Sequence, residues 1–143
     1  MKLYVVDASV ILKWVVGEQK EPDQANALAL LTAWAEGKAE IGAPILWQYE
    51  VANFLGRELP DEGQGKMGML LGLRIRDIPL SQSMITTCFQ WMKEVKATFY
   101  DACYLAAAQE LGGTLVTADE RFVKKAENIG PVIALRSLKP TEL

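Results

Sequence analysis

Four carboxylates attract notice by where they fall in the chain: Asp7, Glu50, Asp101 and Asp119. Asp7 ends the run Leu3-Tyr4-Val5-Val6, whose apolar and β-branched residues read as a buried strand. Asp119 follows Thr114-Leu115-Val116-Thr117 in the same way, after Ala118. If the two strands are parallel, both acids project from one carboxyl edge, where open α/β sheets bind their ligands. Asp101 lies in the first turn of the alanine-rich helix before the second strand, so that helix starts at the same edge. Glu50 is a carboxylate in the middle of an apolar helix. Acids gathered this way repel one another unless a cation neutralises them. Oxygen-only ligands select a hard ion, Mg²⁺ or Mn²⁺. Such an ion generates a nucleophile from water and stabilises a phosphoryl transition state.

Each acid also has a plainer reading. Asp119 could cap the helix that follows it, and Asp101 could simply favour a helix start. Glu50 could be a solvated helix residue. Asp7 is harder to set aside, because a strand-terminal acid beside Ser9 has little evident structural purpose. Singly the signals are weak; together they favour a metal site.

The residue counts narrow the chemistry further. There is no histidine, which removes Ser-His and Cys-His nucleophilic catalysis and every His-ligated zinc site. Cys88 and Cys103 match no zinc spacing and read as small buried hydrophobes. A net charge of −3 argues against a protein that coats nucleic acid by bulk charge, though not against a nuclease with a local basic strip. Half of the residues are hydrophobic and no apolar run reaches membrane-spanning length, so a soluble globular protein is expected. The N-terminus lacks the pattern of a signal peptide, and a cytoplasmic location with no membrane partner is the default. The 143 residues suit a single domain, 1–143, with no linker or repeat.

The elements that must position these acids alternate strand and helix. After the first strand and a short helix, Gly17 and Glu18-Gln19-Lys20 make a polar turn. A helix opens at Pro22 and stops at Gly37, and Ile41-Gly42-Ala43-Pro44 is a short strand or loop. Ile45 to Leu59 is a third helix, with Glu50 and Asn53 on one face. Between Pro60 and Leu73 the glycines weaken any helix, leaving a short one with an adaptable surface. Residues 75–80 form a brief strand or extended link. Ser81 caps a helix running to about Ala97. A short helix from Glu120 to Asn128 and a last strand, Val132–Leu135, close the chain. This order predicts a three-layer α/β/α domain around a central, mainly parallel sheet.

With the residues laid out, the chain resembles the PIN-domain family, and within it the VapC-type toxin ribonucleases of type II toxin–antitoxin systems. The resemblance is carried by Val6-Asp7-Ala8-Ser9-Val10, Tyr49-Glu50-Val51-Ala52-Asn53, Tyr100-Asp101-Ala102 and Val116-Thr117-Ala118-Asp119-Glu120-Arg121-Phe122. These stretches follow the family's order across almost the whole chain. The resemblance implies an endoribonuclease that cleaves RNA phosphodiesters by metal-activated water, with Mg²⁺ or Mn²⁺ as cofactor. It makes Asp7, Glu50, Asp101 and Asp119 the metal-site acids, with Ser9, Thr117 and Asn53 supporting them through hydrogen bonds. It further implies a homodimer, neutralised by a cognate antitoxin protein. Among the cations, Arg121 is singled out as an RNA phosphate contact because it falls two residues past Asp119. The glycine-rich stretch before Leu73 departs from the regular charged helix usual in such toxins, which bears on partner geometry rather than on the acids. Three other readings share some of these features: a catalytically silent binding module of the same fold, a structure-specific DNA nuclease, and a phosphoacceptor domain. The last needs an acidic pair after the first strand and a lysine after the last, and neither is present.

Overall fold

The computed structural model describes residues 1–17 and 22–143; the expected turn at Glu18–Lys20 lies outside the described residues. Among these residues five strands form one parallel sheet: β1 (Leu3–Val6), β2 (Glu40–Ala43), β3 (Arg76–Asp77), β4 (Thr114–Thr117) and β5 (Val132–Ala134). Their order across the sheet is β3-β2-β1-β4-β5. Among the described residues seven α-helices connect them: α1 (Ala8–Val15), α2 (Pro22–Ala35), α3 (Leu46–Glu58), α4 (Gly63–Leu73), α5 (Gln82–Glu94), α6 (Phe99–Glu110) and α7 (Glu120–Ala126). Helices α1 to α4 pack on one another, while α5 packs on α6, which lies against β1 and β4. The expected three-layer α/β/α architecture is therefore present, with every strand pair parallel.

The central strands are short and apolar because both faces are covered: Val5, Val6, Leu115 and Val116 are completely or almost completely buried. Each buried side chain of this size contributes roughly 1.5–3 kcal/mol. Register matters more for function. Val6 pairs with Val116, so the residues that follow them, Asp7 and Thr117, emerge side by side at the carboxyl edge. From β1 the chain crosses toward β2, and from β4 it crosses the other way toward β5. The β1–β4 seam is thus the topological switch point, the crevice where parallel sheets take their ligands.

Two helices differ from expectation. Four glycines do not break α4, which runs unbroken for 11 residues and ends at Arg74 in the left-handed conformation, φ 56°. Its apolar residues divide: Leu70 is buried in the core, while Met69 and Leu71 are exposed. Helix α5 stops at Glu94 rather than near Ala97, with Lys96 at φ 54° turning the chain into α6. Both cysteines are buried, free thiols, and burial pushes the Cys88 thiol up to about 11. Trp47 and Trp91 are core residues, and half-buried Trp14 donates its indole N–H to the Ala27 carbonyl at 2.9 Å. No helix among the described residues is long and apolar enough to cross a membrane.

Candidate metal centre

The first acid is fixed by local chain geometry. Asp7 has an extended backbone and caps α1, its Oδ1 accepting the Val10 amide at 3.3 Å. Asp7 therefore does have a structural purpose, contrary to its reading in the sequence: it starts a helix. That purpose occupies only part of it. The Ser9 hydroxyl donates to Oδ1 at 2.5 Å and the Thr117 hydroxyl to Oδ2 at 2.5 Å. Each hydroxyl is itself held by an amide of the β4–α7 turn, Ser9 by the Ala118 N–H at 3.0 Å and Thr117 by the Asp119 N–H at 3.1 Å. With their acceptor sides occupied by amides, both hydroxyls turn their protons to Asp7. The structure places both the Ser9 and Thr117 hydroxyls in hydrogen-bond contact with Asp7.

Asp119 caps α7, its Oδ1 accepting the Phe122 amide at 3.1 Å, so the helix-cap reading holds for it as well. Asp101 is not the cap of α6. That position belongs to Thr98, whose hydroxyl accepts the Asp101 amide at 3.1 Å and leaves the Asp101 carboxylate in the first turn, at the positive helix end. Because α6 leads into β4 and must run antiparallel to it, its first turn lies at the carboxyl edge of the sheet. Asp7, Asp101 and Asp119 accordingly line one small cleft, together with Tyr104, Thr117 and Phe122.

Glu50 joins through a residue that the sequence did not single out. The Tyr104 hydroxyl, from buried Tyr104 on α6, donates to Glu50 Oε1 at 2.6 Å and ties α3 to α6, while Glu50 itself does not line the cleft. Its spacing from Asp101, three residues along one helix, was the available signal. Burial, the bond to Glu50 and the charges of Glu50 and Asp7 all hold the Tyr104 phenol well above its ordinary value, so it is a fixed donor. Asn53, one turn along α3 from Glu50, is exposed, and its side chain makes no hydrogen bond among the described residues. Arg121 is exposed in the first turn of α7. The cation that Asp101 feels electrostatically is instead Lys125, one turn further on.

The electrostatics are those of crowded acids. Burial lifts the Asp7 carboxyl to about 6, against the hydrogen bonds from Ser9, Thr117 and Val10, and the charge of Asp101 adds to the rise. Asp101 is also raised, by burial first and then by Asp119, with Thr98 and Lys125 opposing. Among the described residues no three Asp, Glu or Cys side chains are grouped closely enough to hold one ion as they are placed. The donor set nevertheless fits a hard cation: every available atom is oxygen, and the acids sense one another's charge. The cleft volume, about 10 Å³, is that of a single ion or water. A larger cavity of about 690 Å³, lined by Leu3, Glu40, Arg76 and Thr114 among others, opens at the opposite edge of the sheet, away from these acids.

Solved structures share this fold across nearly the full chain. The VapBC2 complex of Rickettsia felis, bound to a promoter DNA fragment, matches with a TM-score of 0.67 at 15% identity, covering 92% of this chain and 98% of that one. A toxin–antitoxin complex from Klebsiella pneumoniae matches at 0.65 and 21% identity, covering 94% and 98%. VapC20 of Mycobacterium tuberculosis, a toxin that cleaves the sarcin–ricin loop, matches at 0.61 and 16% identity, covering 86% and 95%. No curated protein sequence matches the chain. The sequence itself matches the PIN domain over residues 4–128, well over half of its length, and the chain belongs to the PIN domain family.

Proposed function

We propose that this protein is a divalent-metal-dependent endoribonuclease, the toxin of a toxin–antitoxin pair, in which residues 1–143 act as one cytoplasmic nuclease domain. The observation that carries this reading is the convergence of Asp7, Asp101 and Asp119 on one cleft at the switch point of a parallel sheet. Those acids and Glu50 would hold Mg²⁺, or Mn²⁺ in its place. When bound, the ion supplies a Lewis acid that activates water and stabilises charge developing on the phosphate. The chain's own residues do the rest. Ser9 and Thr117 hold Asp7 in one orientation and favour its ionised form. Tyr104 holds Glu50 against α6. Arg121 and Lys125, both exposed on α7, would meet phosphates of the bound strand. Asn53 is a candidate for the same outer contacts on α3. Neutralisation by a cognate antitoxin and assembly as a homodimer follow from the family resemblance, and the neighbours solved as toxin–antitoxin complexes support the first of these.

The deciding experiment incubates purified protein with RNA and with DNA in Mg²⁺, Mn²⁺ or EDTA, and repeats it with Asp7→Asn and Asp101→Asn. Cleavage of RNA alone is expected, abolished by EDTA and by either substitution. Cleavage that survives EDTA or both substitutions would sink the metal-carboxylate mechanism. Cleavage of DNA in preference to RNA would move the protein to a different nuclease class.

A further inference from the structure

The acid cleft is too small for a nucleotide, so whatever selects the RNA must stand at its rim. Helix α6 places one residue there that the chemistry above leaves unused. Successive residues on an α-helix are about 100° apart, so Tyr100, four residues before Tyr104, is offset from it by only about 40° around the axis. Tyr104 lines the cleft and reaches Glu50. Tyr100 therefore stands one turn above it on the same side, directly before Asp101. Buried Tyr104 has its hydroxyl engaged, whereas Tyr100 is 58% exposed.

An exposed aromatic ring is usually free to move; this one is braced. Half-buried Phe99 meets the Tyr100 ring edge-to-face at 6.5 Å and 80°, and Phe99 is in turn met by Phe89 of α5 at 6.3 Å and 74°. Edge-to-face contacts of this kind restrict a ring while leaving its outer face open. Exposed Lys93 and Lys96 lie at the end of α5 and in the turn into α6, four residues after Phe89 and three before Phe99 in the chain. Aromatic rings interleaved with cations beside an acid site suit a single-stranded nucleic acid: bases stack on the rings and the backbone follows the charge.

Resting on the ribonuclease reading above, we propose that Tyr100 is a substrate-positioning platform on which an unpaired base of the RNA stacks next to the phosphate to be cleaved. Stacking needs the ring and not the hydroxyl. It also makes the substrate a loop or single strand, because a base in a duplex has no free face.

The test measures binding apart from cleavage. A fluorescein-labelled single-stranded oligoadenylate, and an abasic oligonucleotide of the same length and backbone, are titrated with wild type, Tyr100→Phe and Tyr100→Ala in Ca²⁺. Anisotropy reads affinity, a gel confirms that the RNA stays intact, and light scattering reads the mass of each variant. Tyr100→Phe is expected to bind as wild type, and Tyr100→Ala to weaken about tenfold on oligoadenylate with no change on the abasic strand. Equal binding of oligoadenylate by wild type and Tyr100→Ala overturns the proposal. So does equal weakening on both oligonucleotides, or a fall in mass showing that the ring covers a second copy of the chain. Failure of the ribonuclease reading looks different: the Tyr100 effect on binding persists, yet no RNA is cut in Mg²⁺ or Mn²⁺.

Discussion

At the scale of single residues, Asp7 does two jobs that pull on its ionisation in opposite directions. As a helix cap and acceptor of two hydroxyls it is stabilised when charged; as a buried group beside another acid it is not. Burial wins, with the carboxyl raised from 3.8 to about 6. Because the folded value lies above the unfolded one, the native state holds the extra proton between about pH 4 and 6, and stability falls as pH rises through that window. Asp7→Asn keeps the cap and removes the charge. In EDTA it should raise stability to urea at pH 7.5 by about 1–2 kcal/mol, less than the full shift implies because one hydroxyl must turn to accept from the new amide. The difference should vanish near pH 4, and a variant less stable than wild type at pH 7.5 would contradict the burial argument. Thr117 gives a complementary case. Thr117→Val keeps the shape but deletes the bond to Asp7 and leaves the Asp119 amide unpaired, so RNA cleavage or Mg²⁺ affinity should drop about 10–100-fold and the melting temperature should fall as well. Kinetics across a Mg²⁺ titration read that directly.

At the scale of elements, helix starts place the acids, and helix α4 shows how context decides the effect of a glycine. Thr98 sets where α6 begins and hence where Asp101 sits. Thr98→Ala should lower stability by about 1 kcal/mol and impair cleavage as well, whereas an equivalent cap loss at Ser81, which starts α5, should cost only stability. Urea unfolding and cleavage assays on the pair separate the two effects. In α4, a Cβ added at Gly68 meets nothing within 4 Å, but one added at Gly63 would lie 2.6 Å from the Leu55 carbonyl oxygen. Gly68→Ala should therefore stabilise the protein by about 0.5–1 kcal/mol. Gly63→Ala should destabilise it, because the close approach of α3 and α4 has no room to give. If both substitutions acted in the same direction in thermal unfolding, this account of the helix pair would be wrong.

At the scale of the whole molecule, the sheet and its helices bring together acids that are widely separated in sequence, and the fold bears their mutual repulsion. A ligand that binds only the folded state stabilises it by mass action, about 2.7 kcal/mol at a hundredfold excess over its dissociation constant. Addition of Mg²⁺ or Mn²⁺ to the apo protein should accordingly raise the melting temperature by several degrees, EDTA should reverse it, and Asp101→Asn should largely remove the response. An equal rise in the substituted protein would mean that the ion binds elsewhere. The melt needs no RNA, so it tests the metal centre independently of cleavage.

Much of this was legible in the chain because short apolar runs ending in acids are local signals, and the absence of histidine is a property of composition. The alternation of strands and helices, the parallel sheet and the placement of Asp7 and Asp119 at strand ends followed from periodicity and handedness alone. A boundary slipped where a single backbone angle decided it, at Lys96 after α5. What the sequence could not carry were contacts between residues far apart in it. The bond from Tyr104 to Glu50 spans 54 residues, and the one from Thr117 to Asp7, which only the family resemblance suggested, spans 110. Both depend on strand register and helix packing, which arise only when the whole core forms. The helix that Asp7 caps could have been read locally. That the same carboxylate also faces Asp101 and Thr117 was decided by the pairing of Val6 with Val116.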